Sequence, residues 1–135
     1  MIQIYIDNWY RNKDLLENYY RTTPKSEYSN YENIVRKTIE LVLNTGERGF
    51  NQFDLTKLCE LKYGDYSGDY LYIIPKDSAD DIRECIYFSI YYGSCSGCDT
   101  LEGLNNYEKR LPDEQQIKEY MQLSLNIIQS IKHFE

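Results

Sequence analysis

Apolar residues recur every three to four positions in two stretches of the chain, which predicts two amphipathic helices. The first should run from about Ser29 to Asn44, because Ser29-Asn30-Tyr31-Glu32 has the spacing of a capping box. The second follows Asp113-Glu114-Gln115-Gln116, a further capping box just after Pro112, and should run nearly to the C-terminus. Each helix would bury its apolar stripe against the rest of the domain.

Two shorter helices are predicted from the same start signal. Asp14-Leu15-Leu16-Glu17 would open a helix through Tyr20 that ends before Pro24, because the residue preceding a proline disfavours helical geometry. Asp99-Thr100-Leu101-Glu102 would open another toward Tyr107. The lone histidine, His133, would then be an exposed residue at the end of the C-terminal helix.

Alternation of apolar and polar residues predicts the strands. Ile2, Ile4 and Ile6 alternate with polar residues and predict a short edge strand. Three further strands are predicted after the first long helix, with short turns between them, at Leu55–Tyr63, Tyr70–Ile74 and Ile82–Tyr92. Short connections favour antiparallel pairing of consecutive strands, in a meander.

These elements predict the fold class. With 135 residues, 41% hydrophobic and 27% charged, the chain should form a single domain over residues 1–135 with a substantial core. The expected class is α+β, with a three- or four-stranded antiparallel sheet, helices packed on one face and a long C-terminal helix.

The meander predicts that two loops meet at one end of the sheet. If Pro75 and Ile82 flank the second turn, Tyr70 faces Tyr87, and the last strand continues toward Gly93. The following segment then reaches the end of the sheet that carries the Gly64–Asp69 turn. The candidate binding residues at this end are Asp65, Tyr66, Asp69, Tyr91, Tyr92 and Asp99, with Cys95 and Cys98 beside them.

Composition and charge point to protein partners. Fifteen tyrosines are too many to bury with every hydroxyl satisfied, so several should be exposed and offer contact area. The net charge of −7 argues against direct binding of nucleic acid, whose phosphates need Lys and Arg. It suits a basic protein partner, including a nucleic-acid-binding protein whose groove it would block. Solubility alone accounts for the same charge.

The Cys95-Ser96-Gly97-Cys98 segment has three interpretations. The two thiols could close a tight turn as small packed side chains. They could bind zinc, although a structural zinc needs four ligands, which Asp65, Asp69, Asp99 or His133 would have to complete. They could be redox-active at the N-terminus of a helix, although Asp99 opposes thiolate formation.

The other cysteines do not complete such a site. Cys85 should lie tens of ångströms from Cys95 along an extended strand, and Cys59 near the opposite end of the sheet. We therefore expect no cofactor, with zinc as the alternative, and no catalytic residues. No run of about 18 apolar residues and no signal peptide is recognisable, so we expect a cytoplasmic protein with reduced thiols and no membrane partner.

One part of the chain resembles a known group. Gly93-Ser94-Cys95-Ser96-Gly97-Cys98-Asp99, downstream of Gly64-Asp65-Tyr66-Ser67-Gly68-Asp69-Tyr70, resembles small uncharacterised proteins of bacteriophages and prophages. The resemblance covers roughly Gly64 to Glu102, and the last helix weakly. It implies an accessory phage protein made in the bacterial host cytoplasm, and no activity comes with it.

The resulting hypothesis is a non-enzymatic phage protein that binds and inhibits a host protein, such as an anti-CRISPR-type inhibitor of a defence effector. One alternative is a sponge for a small nucleotide signal, which would need Arg36, Arg48 or Arg83 to reach the phosphate. The other alternative is a metal or redox protein built on Cys95 and Cys98.

Overall fold

The computed structural model of the chain describes residues 2–44, 52–64, 68–93, 104 and 109–134. The helices are α1 (Ile2–Thr22), α2 (Tyr31–Thr38), which continues as a π-helical turn (Ile39–Leu43), and α3 (Glu114–Gln129). The strands are β1 (Cys59–Gly64), β2 (Gly68–Pro75), β3 (Cys85–Tyr92) and β4 (Lys132–His133). Short 3-10 turns lie at Lys25–Tyr28, Leu55–Lys57 and Ile82–Glu84.

The four strands form one antiparallel sheet in the order β1-β2-β3-β4. Gly64 faces Gly68, which in turn faces Tyr92, so β1 ends, β2 begins and β3 ends at the same end of the sheet. We call this the near end, and the opposite end, where Pro75 faces Cys85, the far end. The predicted α+β class with an antiparallel meander and a long C-terminal helix is therefore confirmed.

The core lies between the helices and one face of the sheet. Along β3, Ile86, Phe88, Ile90 and Tyr92 are buried, whereas the residues between them are partly or fully exposed. We call the buried side of the sheet the helix face and the other side the open face. The buried residues of α1 and α3 that complete this core are Tyr5, Trp9, Leu16 and Tyr20, and Ile117, Tyr120, Leu123, Ile127 and Ile128.

Tyrosines supply much of this core and also part of the surface. Seven of the thirteen tyrosines within the described residues are buried. As predicted, others are exposed, and Tyr10, Tyr63 and Tyr91 retain 66%, 53% and 59% of their accessible surface.

The predicted N-terminal strand at Ile2–Ile6 is wrong, because these residues begin the 21-residue helix α1. The buried positions Tyr5, Trp9, Leu16 and Tyr20 form a helical stripe, while Ile4 remains 46% exposed. Bulky aromatic side chains at helical spacing thus outweigh the alternation of three isoleucines. The predicted helix start at Asp14–Glu17 is also wrong, since these residues lie inside α1.

The other helix starts agree more closely with the sequence. Asn30, rather than Ser29, caps α2, and its side chain accepts a hydrogen bond from the Asn33 amide at 2.8 Å. At α3 the capping box is confirmed, because the Asp113 carboxylate accepts from the Gln116 amide at 2.8 Å and the Gln116 side chain accepts from the Asp113 amide at 3.0 Å. The helix predicted from Asp99 toward Tyr107 lies outside the described residues.

The register between β2 and β3 differs from the predicted one. Tyr70 faces Ile90 rather than Tyr87. The reason is that Asp81 accepts a hydrogen bond from the Arg83 amide at 2.8 Å and holds Ile82–Glu84 in a 3-10 turn, which delays the start of β3 to Cys85. The two strands therefore end level with each other at the near end.

The prediction that His133 is an exposed residue at a helix end is wrong, because His133 lies in β4 opposite Ile86. Its Nε2 lies 2.9 Å from the hydroxyl of Tyr5, and the two rings stack at a centroid distance of 5.6 Å. Burial lowers the pKa of His133, and the charge of Lys76 lowers it further. His133 thus joins the first helix to the last strand as a neutral hydrogen-bonding group.

Candidate functional site

Three residues on neighbouring strands form a row across the open face at the near end. Asp69 of β2 lies directly between Tyr63 of β1 and Tyr91 of β3 in the pairing register. Directly opposed residues of antiparallel strands share one face, so all three side chains lie on the open face. All three are exposed. Strands lie about 4.8 Å apart, so the two tyrosines flank the carboxylate at about 10 Å from each other. We call this set the Tyr-Asp-Tyr row.

Tyr92 supports the row from the other face of the sheet. Its hydroxyl donates to the carbonyl oxygens of Tyr63 at 2.8 Å and Gly64 at 2.9 Å, and the residue is only 5% exposed. Its ring packs against Tyr70 at 4.8 Å, and the ammonium of Lys62 lies 4.9 Å from its ring centroid. These contacts hold the ends of β1 and β3 in fixed positions relative to each other.

Two glycines allow the hairpin to close at this point. Gly64 has a φ of 98°, in the region that favours glycine. A Cβ on Gly68 would lie 1.8 Å from the carbonyl oxygen of Tyr63, which is too close for any side chain. The close approach of β1 and β2 at the near end therefore depends on glycine at these positions.

The structure brings together three of the predicted site residues. Asp69 and Tyr91 face each other on the open face, and Tyr92 lies beside them but is buried on the helix face. The sequence reasoning missed Tyr63, although continuing the alternation of β1 up to Gly64 would have placed it opposite Asp69. The predicted residues that lie outside the described part of the chain are Asp65, Tyr66, Cys95, Cys98 and Asp99.

The open face continues from the row as an apolar band. Leu61, Leu71 and Ser89 face one another in the next row of the same face, and Leu61 is 42% exposed. Ile73 and Tyr87 follow toward the far end and are partly exposed. An exposed aromatic row beside apolar residues is a surface typical of protein-binding sites.

The sheet region also carries much of the negative charge. Residues 59–92 include seven acidic and three basic residues. Of these bases, Arg83 pairs with Asp81 at 2.9 Å and Lys62 lies over the rings of Tyr70 and Tyr92. This segment therefore has a net charge of −4, while the described open face itself carries Asp69 and, opposite Tyr87, Lys132.

The described cysteines do not form a reactive or metal-binding site. Cys59 lies toward the far end, as predicted, and Cys85 lies at that end opposite Pro75. Both are free thiols. Burial raises the pKa of Cys85, and Glu84 and Asp81 raise it further, which disfavours the nucleophilic thiolate. Within the described ranges, no three His, Cys, Asp or Glu side chains group closely enough to hold a metal ion.

A cavity of about 290 Å³ lies between β3 and α3, where Ser89, Tyr91, Asn126 and Ser130 contribute polar groups. Its described lining contains no basic residue, so it offers no charge for a phosphate. The cavity would suit a small neutral ligand better than a nucleotide.

Two of the three arginines that a nucleotide sponge would need are described, and both are engaged or distant from the near end. Arg36 lines a second cavity of about 290 Å³, where it pairs with Glu32 at 3.1 Å and donates to the Leu55 carbonyl at 2.7 Å. Arg83 lies in the turn at the far end, and Arg48 lies outside the described residues. Neither of the two described arginines therefore offers its guanidinium at the near end.

Among the helices that the structure describes, none is both long enough and apolar enough to cross a bilayer. No protein-family model, curated protein or solved structure matches the chain.

Proposed function

We propose that this protein is a non-enzymatic binding protein that captures a basic protein through the Tyr-Asp-Tyr row and the adjoining apolar band. The observation that carries the proposal is the register that places Tyr63, Asp69 and Tyr91 side by side, all exposed, on one face. In the biological setting that the phage resemblance suggests, the partner is a host defence effector that binds nucleic acid.

The two tyrosines suit the role of anchors. Tyrosine combines a broad apolar ring with a hydroxyl and loses little conformational entropy when it is fixed, and it is enriched among the residues that dominate binding energy. Because Tyr92 ties β1 to β3, the spacing between Tyr63 and Tyr91 is set before binding. A preorganised surface avoids part of the ordering cost of association.

The carboxylate between the tyrosines gives the surface its chemical preference. An arginine or lysine of the partner could pair with Asp69 while its alkyl stem or guanidinium packs on the flanking rings. A nucleic-acid-binding groove presents such residues for phosphate, so an acidic protein that occupies it would exclude the nucleic acid. This competition is the proposed inhibitory mechanism.

The test compares two double variants, each of which loses one exposed carboxylate and one exposed tyrosine, but on different surfaces of the protein. Asp69→Asn with Tyr91→Ala alters the row, and Asp14→Asn with Tyr10→Ala makes matched changes on the exposed side of α1. Each tagged protein is used to capture partners from host cells, and captured proteins are quantified by mass spectrometry. The proposal expects a basic protein that the wild type and the α1 variant retain and the row variant loses.

A second arm adds DNA or RNA as a competitor to the captured complex. Release of the partner by nucleic acid, with stronger release at higher salt, supports competition for a basic groove. If the row variant captures the same partner as the wild type, the row is not the contact surface and the proposal is wrong.

A further inference from the structure

Within the described part of the chain, β1 is the outer strand of the sheet and no strand pairs with its other side. All six of its residues, Cys59–Gly64, are exposed, and the order β1-β2-β3-β4 places it at the edge. On an edge strand, alternate residues direct their backbone N–H and C=O groups away from the sheet, where another strand can pair with them. Natural proteins often blunt such an edge with charge, a bulge or proline; β1 carries charge at Glu60 and Lys62 but is a regular six-residue strand without a bulge or proline.

The sequence of β1 is complementary to itself in one register. A symmetric antiparallel pairing of two copies requires a two-fold axis perpendicular to the sheet, and this axis passes through one residue position. Centred on Leu61, the pairing places Glu60 opposite Lys62 of the partner subunit on both sides of the axis. Opposite charges at directly facing positions stabilise a strand pair.

The neighbouring registers lack this complementarity. Centred on Glu60, the pairing would set Glu60 against Glu60 of the partner subunit, and centred on Lys62 it would set two lysines against each other. Like charges at facing positions are destabilising. Charge therefore selects one of the three symmetric registers that pair most of the strand.

We propose that this chain forms a two-fold symmetric dimer in which the β1 strands of two copies pair antiparallel about Leu61. The two four-stranded sheets would join into one sheet of eight strands with both open faces on the same side. Leu61, which is 42% exposed in the single chain, would face Leu61 of the partner subunit, and Cys59 would face the partner's Tyr63. This assembly goes beyond the proposed function and does not depend on it.

In the single chain both charged groups lie over the neighbouring strands β2 and β3. One carboxylate oxygen of Glu60 accepts a hydrogen bond from the hydroxyl of Tyr72 at 2.6 Å. The ammonium of Lys62 lies 4.9 Å and 5.8 Å from the ring centroids of Tyr92 and Tyr70. Both side chains therefore lie on one face of β1, as the pairing requires, and the ammonium of Lys62 would exchange its ring contacts for Glu60 of the partner subunit.

The dimer should be weak and concentration-dependent, because one six-residue strand pair with a single apolar contact buries less surface than a standard protein interface. Sedimentation velocity on the full chain, over a series from low micromolar to millimolar protein, measures it directly. The wild type should shift from monomer to dimer across this series.

Charge exchange identifies the register. Glu60→Lys and Lys62→Glu should each weaken dimerisation about tenfold or more, since each variant sets like charges at both facing positions. An equal mixture of the two variants should form a dimer again, because each lysine at one position then faces a glutamate at the other. The double variant Glu60→Lys/Lys62→Glu should dimerise by itself like the wild type.

Hydrogen exchange of the wild type provides a measurement that needs no variant. Amides of 59–64 that face away from β2 should become protected as the protein concentration rises, while amides of α1 should not change. If the wild type stays monomeric and its β1 amides stay unprotected at all concentrations, the dimer proposal is wrong. Single variants that dimerise normally, or a mixture that does not, overturn the register.

Discussion

The hydroxyl of Tyr92 lies 2.8 Å from the carbonyl oxygen of Tyr63, so the last residue of β3 is bonded to β1 across the width of β2. The same hydroxyl lies 2.9 Å from the carbonyl oxygen of Gly64. One buried side chain thus fixes the end of the β1–β2 hairpin. It also sets the separation of the two exposed tyrosines that we propose as binding anchors.

Removing this hydroxyl should loosen the hairpin end. Tyr92→Phe should lower the free energy of unfolding by about 1–2 kcal/mol, because it leaves two carbonyl groups without their partner. Tyr91→Phe is the matched control, since Tyr91 is 59% exposed and should change stability by less than about 0.5 kcal/mol. Urea unfolding of the two variants measures the difference, and equal midpoints would contradict the assigned role of Tyr92.

A side chain at Gly68 should disrupt the same hairpin by steric contact. The added methyl of Gly68→Ala would lie 1.8 Å from the Tyr63 carbonyl oxygen, so the backbone must move. We expect a loss of about 2 kcal/mol or more and, in NMR spectra, shifts concentrated in β1 and β2. Ser89→Ala, on the exposed side of β3, should leave both the stability and the spectra nearly unchanged.

A pair of buried tyrosines should respond in opposite ways to the loss of a hydroxyl. The Tyr20 hydroxyl lies 2.7 Å from Ser124 Oγ, which also lies 3.0 Å from the Thr38 hydroxyl, so Tyr20→Phe should cost about 1–3 kcal/mol. The buried hydroxyl of Tyr120 has no hydrogen-bond partner among the described residues, so Tyr120→Phe should be neutral or stabilising. Thermal unfolding of both variants checks the contrast, which equal losses would refute.

Stability should fall in mild acid because of His133. Its pKa is lowered below the ordinary 6.5, so the folded state favours the neutral ring that bonds to Tyr5, whose own pKa burial raises to about 12. In the unfolded chain His133 has its ordinary pKa of about 6.5, so between that value and its lower folded pKa the unfolded chain binds more protons. The contribution of His133 to stability is therefore complete above about pH 6.5 and is lost as the pH falls through the folded pKa.

The comparison of the wild type with His133→Gln isolates this contribution from the carboxylates, which titrate in both proteins. Urea unfolding at about pH 7.5 and about pH 5 should show a smaller loss for His133→Gln than for the wild type. Identical losses would mean that His133 is not held neutral by its position in the fold.

Local sequence signals predicted the parts of the fold that local physics determines. The capping box at Asp113 and the three-stranded meander followed from side-chain chemistry and alternation within a few residues of each other. The first helix did not, because Ile2–Ile6 satisfies a strand pattern locally and only packing of Tyr5 and Trp9 into the core decides the conformation. The fourth strand could not be predicted either, since two residues carry no periodicity.

The end of the sheet at which the candidate site lies was predictable from the strand order, whereas the residue pairing within the site was not. Asp69 and Tyr91 were placed at the same end because an antiparallel meander with a long last strand returns to the level of the Gly64–Asp69 turn. The register itself was wrong by three residues, since hydrogen bonds from the Arg83 and Glu84 amides to Asp81 hold the 3-10 turn that delays β3. Tyr92 is buried because alternate residues of β3 point into the core and Tyr92 belongs to that set. The sequence does not show which of the two alternating sets faces the core.

Site-specific photo-crosslinking identifies the protein that touches the Tyr-Asp-Tyr row in the host cell. A photoreactive phenylalanine analogue replaces Tyr91 in one protein and Tyr10, which is exposed to a similar extent, in the other. The account predicts that position 91 crosslinks to a basic host protein and position 10 does not. Crosslinking of a partner from position 10 alone, or from neither position while the partner is still captured, would contradict it.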